Sequence, residues 1–209
     1  FVLNYAVYIF VVSQQYVSIV IRKSEDRGFT WTHPANEKSG LLFKGGVYHQ
    51  PPNYHCAPVP VLFHNGRLYK GFENLDPVVH GPGFHACVVS APVDAELLDA
   101  DNWTKSNQLK FDPAWVPEEW ETPDAPGWLE GNLVADPTGQ LWDILRFKSK
   151  PGCDRAAMVK VSSDGSQVSF DPAVDFIDFP GGETKFTIRQ DPVSKLYLSL
   201  VNNNTDSNW

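Results

Sequence analysis

The sequence predicts an all-β chain made of repeated four-stranded antiparallel units, and three observations carry that prediction. Phe, Tyr and Trp make up 13% of the 209 residues, while 17 Pro and 15 Gly punctuate the chain at short intervals. Runs rich in β-branched and aromatic residues fill the spaces between those turn formers, as short strands require. The third observation is Ser24-Glu25-Asp26-Arg27-Gly28-Phe29-Thr30-Trp31, which fits the pattern Ser-x-Asp-x-Gly-x-Thr-Trp. In a β-hairpin, Ser24 and Asp26 accept bonds from nearby backbone N–H groups and close the turn from within. Gly28 supplies the positive φ that a β-carbon would oppose. Trp31 opens the return strand and folds a large apolar ring back on the hairpin.

In chain order, residues 5–12 and 16–23 read as two strands joined through Ser13-Gln14-Gln15, with Leu41-Leu42-Phe43 following the octet as a third. A second unit begins at Pro58. Val59 to Phe63, the His64-Asn65-Gly66 corner and Leu68 to Phe72 form a hairpin, and Phe84 to Val89 adds a strand. Residues 93–106 allow a short helical turn on the outside. Asp112 to Gly127, rich in Pro, Glu and Trp, reads as a long loop, a place where function often resides. A third unit runs from Asn132 to Ala135, turns at Asp136-Pro137-Thr138-Gly139, and returns as Leu141 to Phe147. Ala156 to Val161, Ser163-Asp164-Gly165 and Val168 to Phe170 complete it. Lys185 to Arg189, a turn at Asp191-Pro192 and Leu196 to Val201 begin a fourth.

Four strands in roughly 40–50 residues is the rhythm of a β-propeller blade, and at that rate the chain holds about four blades. A β-sandwich also fits this length. The octet and the long, uneven connections favour the propeller. The first residue already sits in a strand-like run and the last ones trail off, so 1–209 reads as a single propeller domain incomplete at both ends.

The formal charge is −8 and no Lys/Arg cluster is long enough to track a phosphate backbone, which argues against nucleic acid as a partner. Phe1 to Val12 is too short to span a bilayer and reads as a buried strand, so no membrane partner is expected. Cys56, Cys87 and Cys153 have unrelated spacings and make no disulfide framework, although one bridge plus a free thiol stays open. Asn102-Trp103-Thr104 and Asn203-Asn204-Thr205 match the glycosylation acceptor triplet.

Propeller chemistry gathers where loops meet the innermost strands at one mouth of the channel. Trp128-Leu129-Glu130-Gly131-Asn132 puts a carboxylate at such a point, where a partly desolvated Glu130 can act as general acid or base or simply hold a strand start. Arg146, with apolar residues on both sides in Leu141–Phe147, needs an anion: Glu130, Asp143 or a substrate carboxylate. His49, His55, His64, His80 and His85 cluster in sequence with Cys56 and Cys87. No pair among them has a recognised ligand spacing, so a structural metal is possible but unsupported, and no cofactor is required. Tyr48, Tyr54, Trp115, Trp120 and Trp128 offer faces on which sugars stack, or core. Trp115 and Trp120 are the least easily explained by packing.

The octet is the Asp-box pattern, and it resembles the sialidase-like (BNR) β-propeller proteins. Tyr54-His55-Cys56-Ala57-Pro58-Val59-Pro60, Trp128 to Asn132, Ile144-Leu145-Arg146 and Lys185-Phe186-Thr187-Ile188-Arg189 look like the bacterial proteins of that group. The resemblance implies a six- or seven-bladed ring, an oligo- or polysaccharide substrate, and a secreted or periplasmic location. Sialidases use an arginine triad, a Tyr–Glu nucleophile pair and an Asp acid/base. Only six arginines stand here and no Tyr–Glu pair is evident. The chain also resembles the ulvan-lyase-like propellers, in which two histidines, a polar residue and an Arg follow in order. His64, His85, Glu130 and Arg146 occupy similar places, with Glu130 where part of that group has Tyr. A carboxylate beside a uronate repels it unless protonated, which favours hydrolysis over elimination.

The expectation is therefore a glycoside hydrolase cleaving at an acidic or deoxy sugar. Glu130 is its acid/base, Arg146 its anion clamp, and His64 or His85 its substrate positioner. Asn132, His55, Trp128, Tyr54 and Glu73 are further substrate contacts. The second carboxylate comes from Asp143, Glu73 or Asp76. A polysaccharide lyase using His64, His85 and Arg146 is the runner-up, and a non-catalytic glycan-binding propeller is the third reading.

Overall fold

The computed structural model describes residues 1–12, 17–47, 50–79, 81–120, 126–148 and 153–205. The Ser13-Gln14-Gln15 link, Tyr48, His49 and His80 lie outside the described residues. Within them the chain is all-β and forms four antiparallel sheets in sequence order. The first is β1 (Val2–Leu3), β2 (Ala6–Val12), β3 (Ile19–Ser24) and β4 (Leu41–Phe43), paired in that order. The second comprises β5 (Tyr54–His55), β6 (Leu62–His64), β7 (Arg67–Leu75), β8 (Phe84–Pro92), β9 (Thr104–Lys105) and β10 (Leu109–Lys110). β5 and β6 both pair with β7, and β9 and β10 both pair with β8, so this sheet is also four strands wide. The third contains β11 (Trp128–Ala135), β12 (Leu141–Phe147), β13 (Arg155–Val161), β14 (Val168–Ser169) and β15 (Phe176–Asp178), the last two both on β13. β16 (Thr187–Gln190) and β17 (Tyr197–Leu200) make the fourth.

The expected strand from Val59 begins only at Leu62. Pro58 and Pro60 lack the N–H groups a ladder needs, and they split the first strand of the second sheet in two. Between Pro92 and Thr104 the helical turn is a single 3₁₀ turn, Ala100–Asn102, with the Asp99 carboxylate accepting from Asp101 N–H.

What separates this fold from a sandwich is the placement of its cores. A sandwich has one core between two sheets. Here Ile19, Ile21 and Leu42 of the first sheet pack with Leu68, Phe72 and Val89 of the second. Tyr69, Phe84 and Val88, from the other face of the second sheet, pack with Trp128, Leu145 and Val159 of the third. Val134 and Ile144, from the third sheet's other face, pack with Phe186 and Ile188 of the fourth segment. Neighbours on β7, Leu68 and Tyr69, therefore serve different cores, as a pleat with a period of two demands. A cavity of about 880 Å³ is bounded by Val12, Val59, Phe63, Thr187 and Arg189, from three different sheets, which marks a shared axis. The four sheets form a propeller whose ring is not closed.

The turns are built as their sequences require. Ser24 Oγ accepts from Gly28 N–H at 2.7 Å, and Asp26 accepts from Thr30 N–H and Oγ1 at 2.8 and 2.6 Å. Gly28 sits at φ +95°, and the Trp31 indole N–H folds back onto Gly28 O. Asn65 and Gly66 both have positive φ (45° and 73°), the corner expected of a two-residue hairpin. Asp136 accepts from Thr138 and from the Trp142 indole, and Asp164 from Ser162 and Ser166.

These hydrogen bonds, mainly from Thr and Ser hydroxyls, depress the Asp26, Asp136 and Asp164 carboxyls to about 2. A carboxyl depressed on folding stabilises the fold above its unfolded value and loses that contribution as pH falls through its folded value. We expect the thermal midpoint to drop between about pH 4 and pH 2, and Asp136→Asn to flatten part of that slope. Equal slopes in the variant and the parent would refute the assignment.

Candidate active site

The third sheet contains one break in register, and the site is built around it. β11 pairs with β12 through Trp128↔Phe147 and Leu129↔Arg146, then jumps to Asn132↔Ile144. Glu130 and Gly131 thus oppose a single residue, a β-bulge that turns successive side chains out of the normal alternation. Glu130 adopts φ +58°, the left-handed region, where a residue with a β-carbon carries backbone strain.

The bulge sends Glu130 towards the fourth segment and turns Gly131 towards the second sheet. Arg146 Nη1 donates to Glu130 Oε2, and Lys185 Nζ lies 3.0 Å from Oε1. Arg146 faces the fourth segment because even-numbered positions of β12, with Trp142 and Ile144, point that way. Its Nε and Nη2 both donate to Glu183 O, at 3.1 and 2.9 Å. The Glu130 side chain is 15% exposed, Arg146 7% and Lys185 66%, so the cluster opens to solvent on the lysine side. Asn132 closes the base: its amide donates to Phe186 O and accepts from Ile188 N–H, joining β11 to β16.

Two further carboxyls lie on the other side of the bulge. Glu73 on β7 and Asp143 on β12 are fully buried. Glu73 Oε1 accepts from Gly131 N–H at 3.1 Å. Burial pushes Glu73 up to about 8, with the Asp143 charge adding to the effect, and burial pushes Asp143 up to about 7. Lys70, also buried, donates to Ala57 O, and desolvation lowers its own value. Neither Glu73 nor Asp143 reaches solvent in this conformation, whereas Asp76, at the end of the same strand, is exposed.

The remaining sequence candidates are scattered by strand parity and register. His55 shares Glu73's position across β5 and β7 and stacks edge-on against Phe84, with a ring nitrogen 3.1 Å from Asn53 Oδ1. His85 pairs with Asn74, one residue out of phase, and so faces the first sheet's side. His64 pairs with Arg67, six positions along β7 from Glu73, about 20 Å away at the strand rise. It sits beside Gly139 in a turn at the opposite end of the third sheet. The structure therefore brings Glu130 and Arg146 together but leaves His64 and His85 away from them.

Tyr54 and Trp128 are core residues rather than stacking platforms. Tyr54 Oη accepts from Lys105 Nζ at 2.6 Å between the first two sheets. Trp128, with no exposed surface, donates to Phe84 O. Trp115 and Trp120 are also explained by packing. Trp115 meets Phe111, Trp128 and Phe170, and Trp120 lies between Phe176 and the Arg155 guanidinium, 3.7 Å from its ring centroid. Among the described residues Cys56 and Cys87 are free thiols, and no group of three or more His, Cys, Asp or Glu is placed to hold a metal. No helix among them is long and apolar enough to cross a membrane.

Sequence reasoning gave no role to Lys185, Lys70 or the bulge itself. Lys70 had a signal of the kind that marked Arg146: a cation flanked by uncharged, mostly apolar residues, Leu68-Tyr69 before it and Gly71-Phe72 after it. Lys185 stood in a stretch singled out by resemblance, but its reach to Glu130 depends on where the fourth segment docks.

No family profile matches the sequence, and no curated protein matches it. Solved structures do resemble it in fold. An α-L-arabinanase of Penicillium chrysogenum complexed with arabinobiose superposes with a TM-score of 0.50 at 12% identity, covering 95% of this chain and 54% of that one. An α-L-arabinanase of Cellvibrio cellulosa gives 0.47 at 16% identity, over 79% of this chain and 47% of that one. An exo-β-1,3-galactanase of Clostridium thermocellum gives 0.47 at 10% identity, over 80% and 34%. The chain thus spans about half or less of the length of these structures. They are named as arabinanases and a galactanase rather than sialidases, and what the likeness shows is the β-propeller fold.

Proposed function

We propose that this chain contributes the catalytic mouth of a carbohydrate-active propeller enzyme that hydrolyses a glycosidic bond next to an acidic sugar. The observation that carries this reading is Glu130, a largely buried carboxylate with an edge open to solvent, held at φ +58° on a bulge with a cation at each oxygen. Strained, non-glycine backbone that aims a charged group at solvent clusters at functional sites. The names of the structural neighbours support a saccharide substrate; they do not choose the sugar.

In this reading Glu130 is the acid/base. Arg146, which donates to Glu130 and through two nitrogens to Glu183 O, orients it rather than clamping substrate. Lys185 is the exposed cation that meets a substrate carboxylate. Asp76, exposed just past the end of β7, is assigned as the second carboxylate. Elimination through His64 and His85 has less support, because neither lies beside Arg146. One observation favours a non-catalytic glycan-binding propeller instead: both Glu130 oxygens already have partners.

Reducing-end release and near-ultraviolet absorbance, measured on uronate-bearing and neutral oligosaccharides, separate the three readings. For hydrolysis, Glu130→Gln lowers kcat/KM by about 10²–10⁴-fold. Lys185→Ala raises KM for the acidic substrate by about tenfold and leaves the neutral one unchanged. An absorbing product with no dependence on Glu130 identifies a lyase. Glycan binding without turnover in the parent chain identifies the binding propeller. Full hydrolytic activity in Glu130→Gln sinks the assignment.

A further inference from the structure

The contact between β7 and β11 contains more acid than its surroundings can neutralise. Glu73 and Gly71 look from the second sheet onto the third, and Asp143 looks back. The Asp143 carboxylate is wedged between two glycines. A β-carbon on Gly71 would stand 3.0 Å from each of its oxygens, and one on Gly131 would overlap it. Glu73 Oε2 and both Asp143 oxygens are buried, with no hydrogen-bond partner among the described residues. The titratable groups that interact electrostatically with the pair are Glu130 and, from the opposite face of the second sheet, Lys70, Cys56 and Cys87, while His55 lies across from Glu73 on its own face. Lys70 is the one buried cation among them. Two ionised carboxylates beside one ammonium, out of water, would leave an uncompensated charge, and retaining a proton avoids that cost.

We propose that Glu73 and Asp143 are positioning residues for Glu130: the pair retains a proton in the buried contact, without a hydrogen bond between the two carboxyls, and in that state Glu73 clamps Gly131 so that the bulge presents Glu130. This rests on the reading of Glu130 as the reacting carboxylate. When the proton leaves for solvent, two like charges face each other across the β7–β11 contact. Glu73 then recoils from Asp143, and the bond from Gly131 N–H loosens with it. Both carboxyls are raised by burial, so from about pH 4 to about 8 the folded chain binds more protons than the unfolded chain. Stability from this pair is therefore greatest at the acidic end of that window and declines as pH rises through it.

The test uses ¹³C-carboxyl NMR, Gly131 amide exchange and thermal midpoints between about pH 5 and 9, on the full chain and on Glu73→Gln. In the parent we expect the Glu73 and Asp143 resonances to titrate in coupled steps near neutrality. The Glu130 resonance should follow them, and Gly131 exchange, corrected for base catalysis, should quicken about tenfold. Glu73→Gln keeps an acceptor for Gly131 and cannot ionise, so it should hold Gly131 protected at every pH and flatten the midpoint. If that variant does not fold, Asp143→Asn takes its place, and the parent titration stands by itself.

Ordinary carboxylate titration of both groups overturns the proposal, as does a Glu130 resonance indifferent to them. A shift of the same resonances by millimolar calcium would also overturn it, by making the pair a cation site. None of these readings needs a substrate. A chain that turns over no glycan yet shows the coupled titration refutes the enzyme while leaving the pair and its clamp in place.

Discussion

Contact between the second strand of one sheet and the first strand of the next is the constraint on which this chain depends. A sheet in the middle of a propeller buries both faces, so every polar group on its inner strands must find a partner across to a neighbouring sheet. The chain meets this demand with side-chain amides. Asn132 bridges β11 and β16, and Asn107 does the same for Val168 by donating to its carbonyl and accepting from its N–H. Tyr69 and Ser90 reach carbonyls in the Ser163–Asp164 turn. Between β7 and β11 the group that reaches across is a buried carboxyl, Glu73, and there the backbone is also irregular.

The irregularity and the carboxyl belong together. Gly131 has to be glycine because the Asp143 carboxylate occupies the space of its β-carbon. The extra residue of the bulge then falls on Glu130, which must take the left-handed conformation. Its side chain leaves the core for a polar rim where Arg146 and Lys185 wait. A regular strand in this register would have kept Glu130 in the alternation of β11, facing one apolar core or the other. The Glu130 cluster is thus a by-product of how two sheets solve a packing problem beneath it.

Local chemistry was legible in the sequence, and long-range parity was not. Asp26, Asn65-Gly66 and Asp136 announced their turns because each closes on atoms a few residues away. Glu130 and Arg146 stood out because a charge inside an apolar run requires a partner, and they prove to be partners of each other. The histidines failed for a different reason. His55 and His85 look equivalent in sequence, yet their strands pair with Glu73 and Asn74 respectively, and that single step puts them on opposite faces of one sheet. Trp115 and Trp120 sit in a charged, Pro-rich loop, so nothing nearby in the chain betrays the aromatic cluster that receives them. Lys185 acquires its meaning only when the fourth segment docks against β11.

Charge balance links the buried acids to the kind of sugar the mouth would admit. At the rim, Glu130 contributes one negative charge against the two positive charges of Arg146 and Lys185. Beneath it, Lys70 offsets one carboxylate, so a pair retaining one proton is neutral with its lysine. Leaving Asp76 aside, these six groups then carry one surplus positive charge, expressed at Lys185, the member most exposed to solvent. Were Glu73 and Asp143 both ionised, the surplus would vanish and the mouth would have no electrostatic reason to prefer an acidic ring over a neutral one. On the proposed reading, a preference for anionic substrate is set as much by a proton the rim never exposes as by the cations it does.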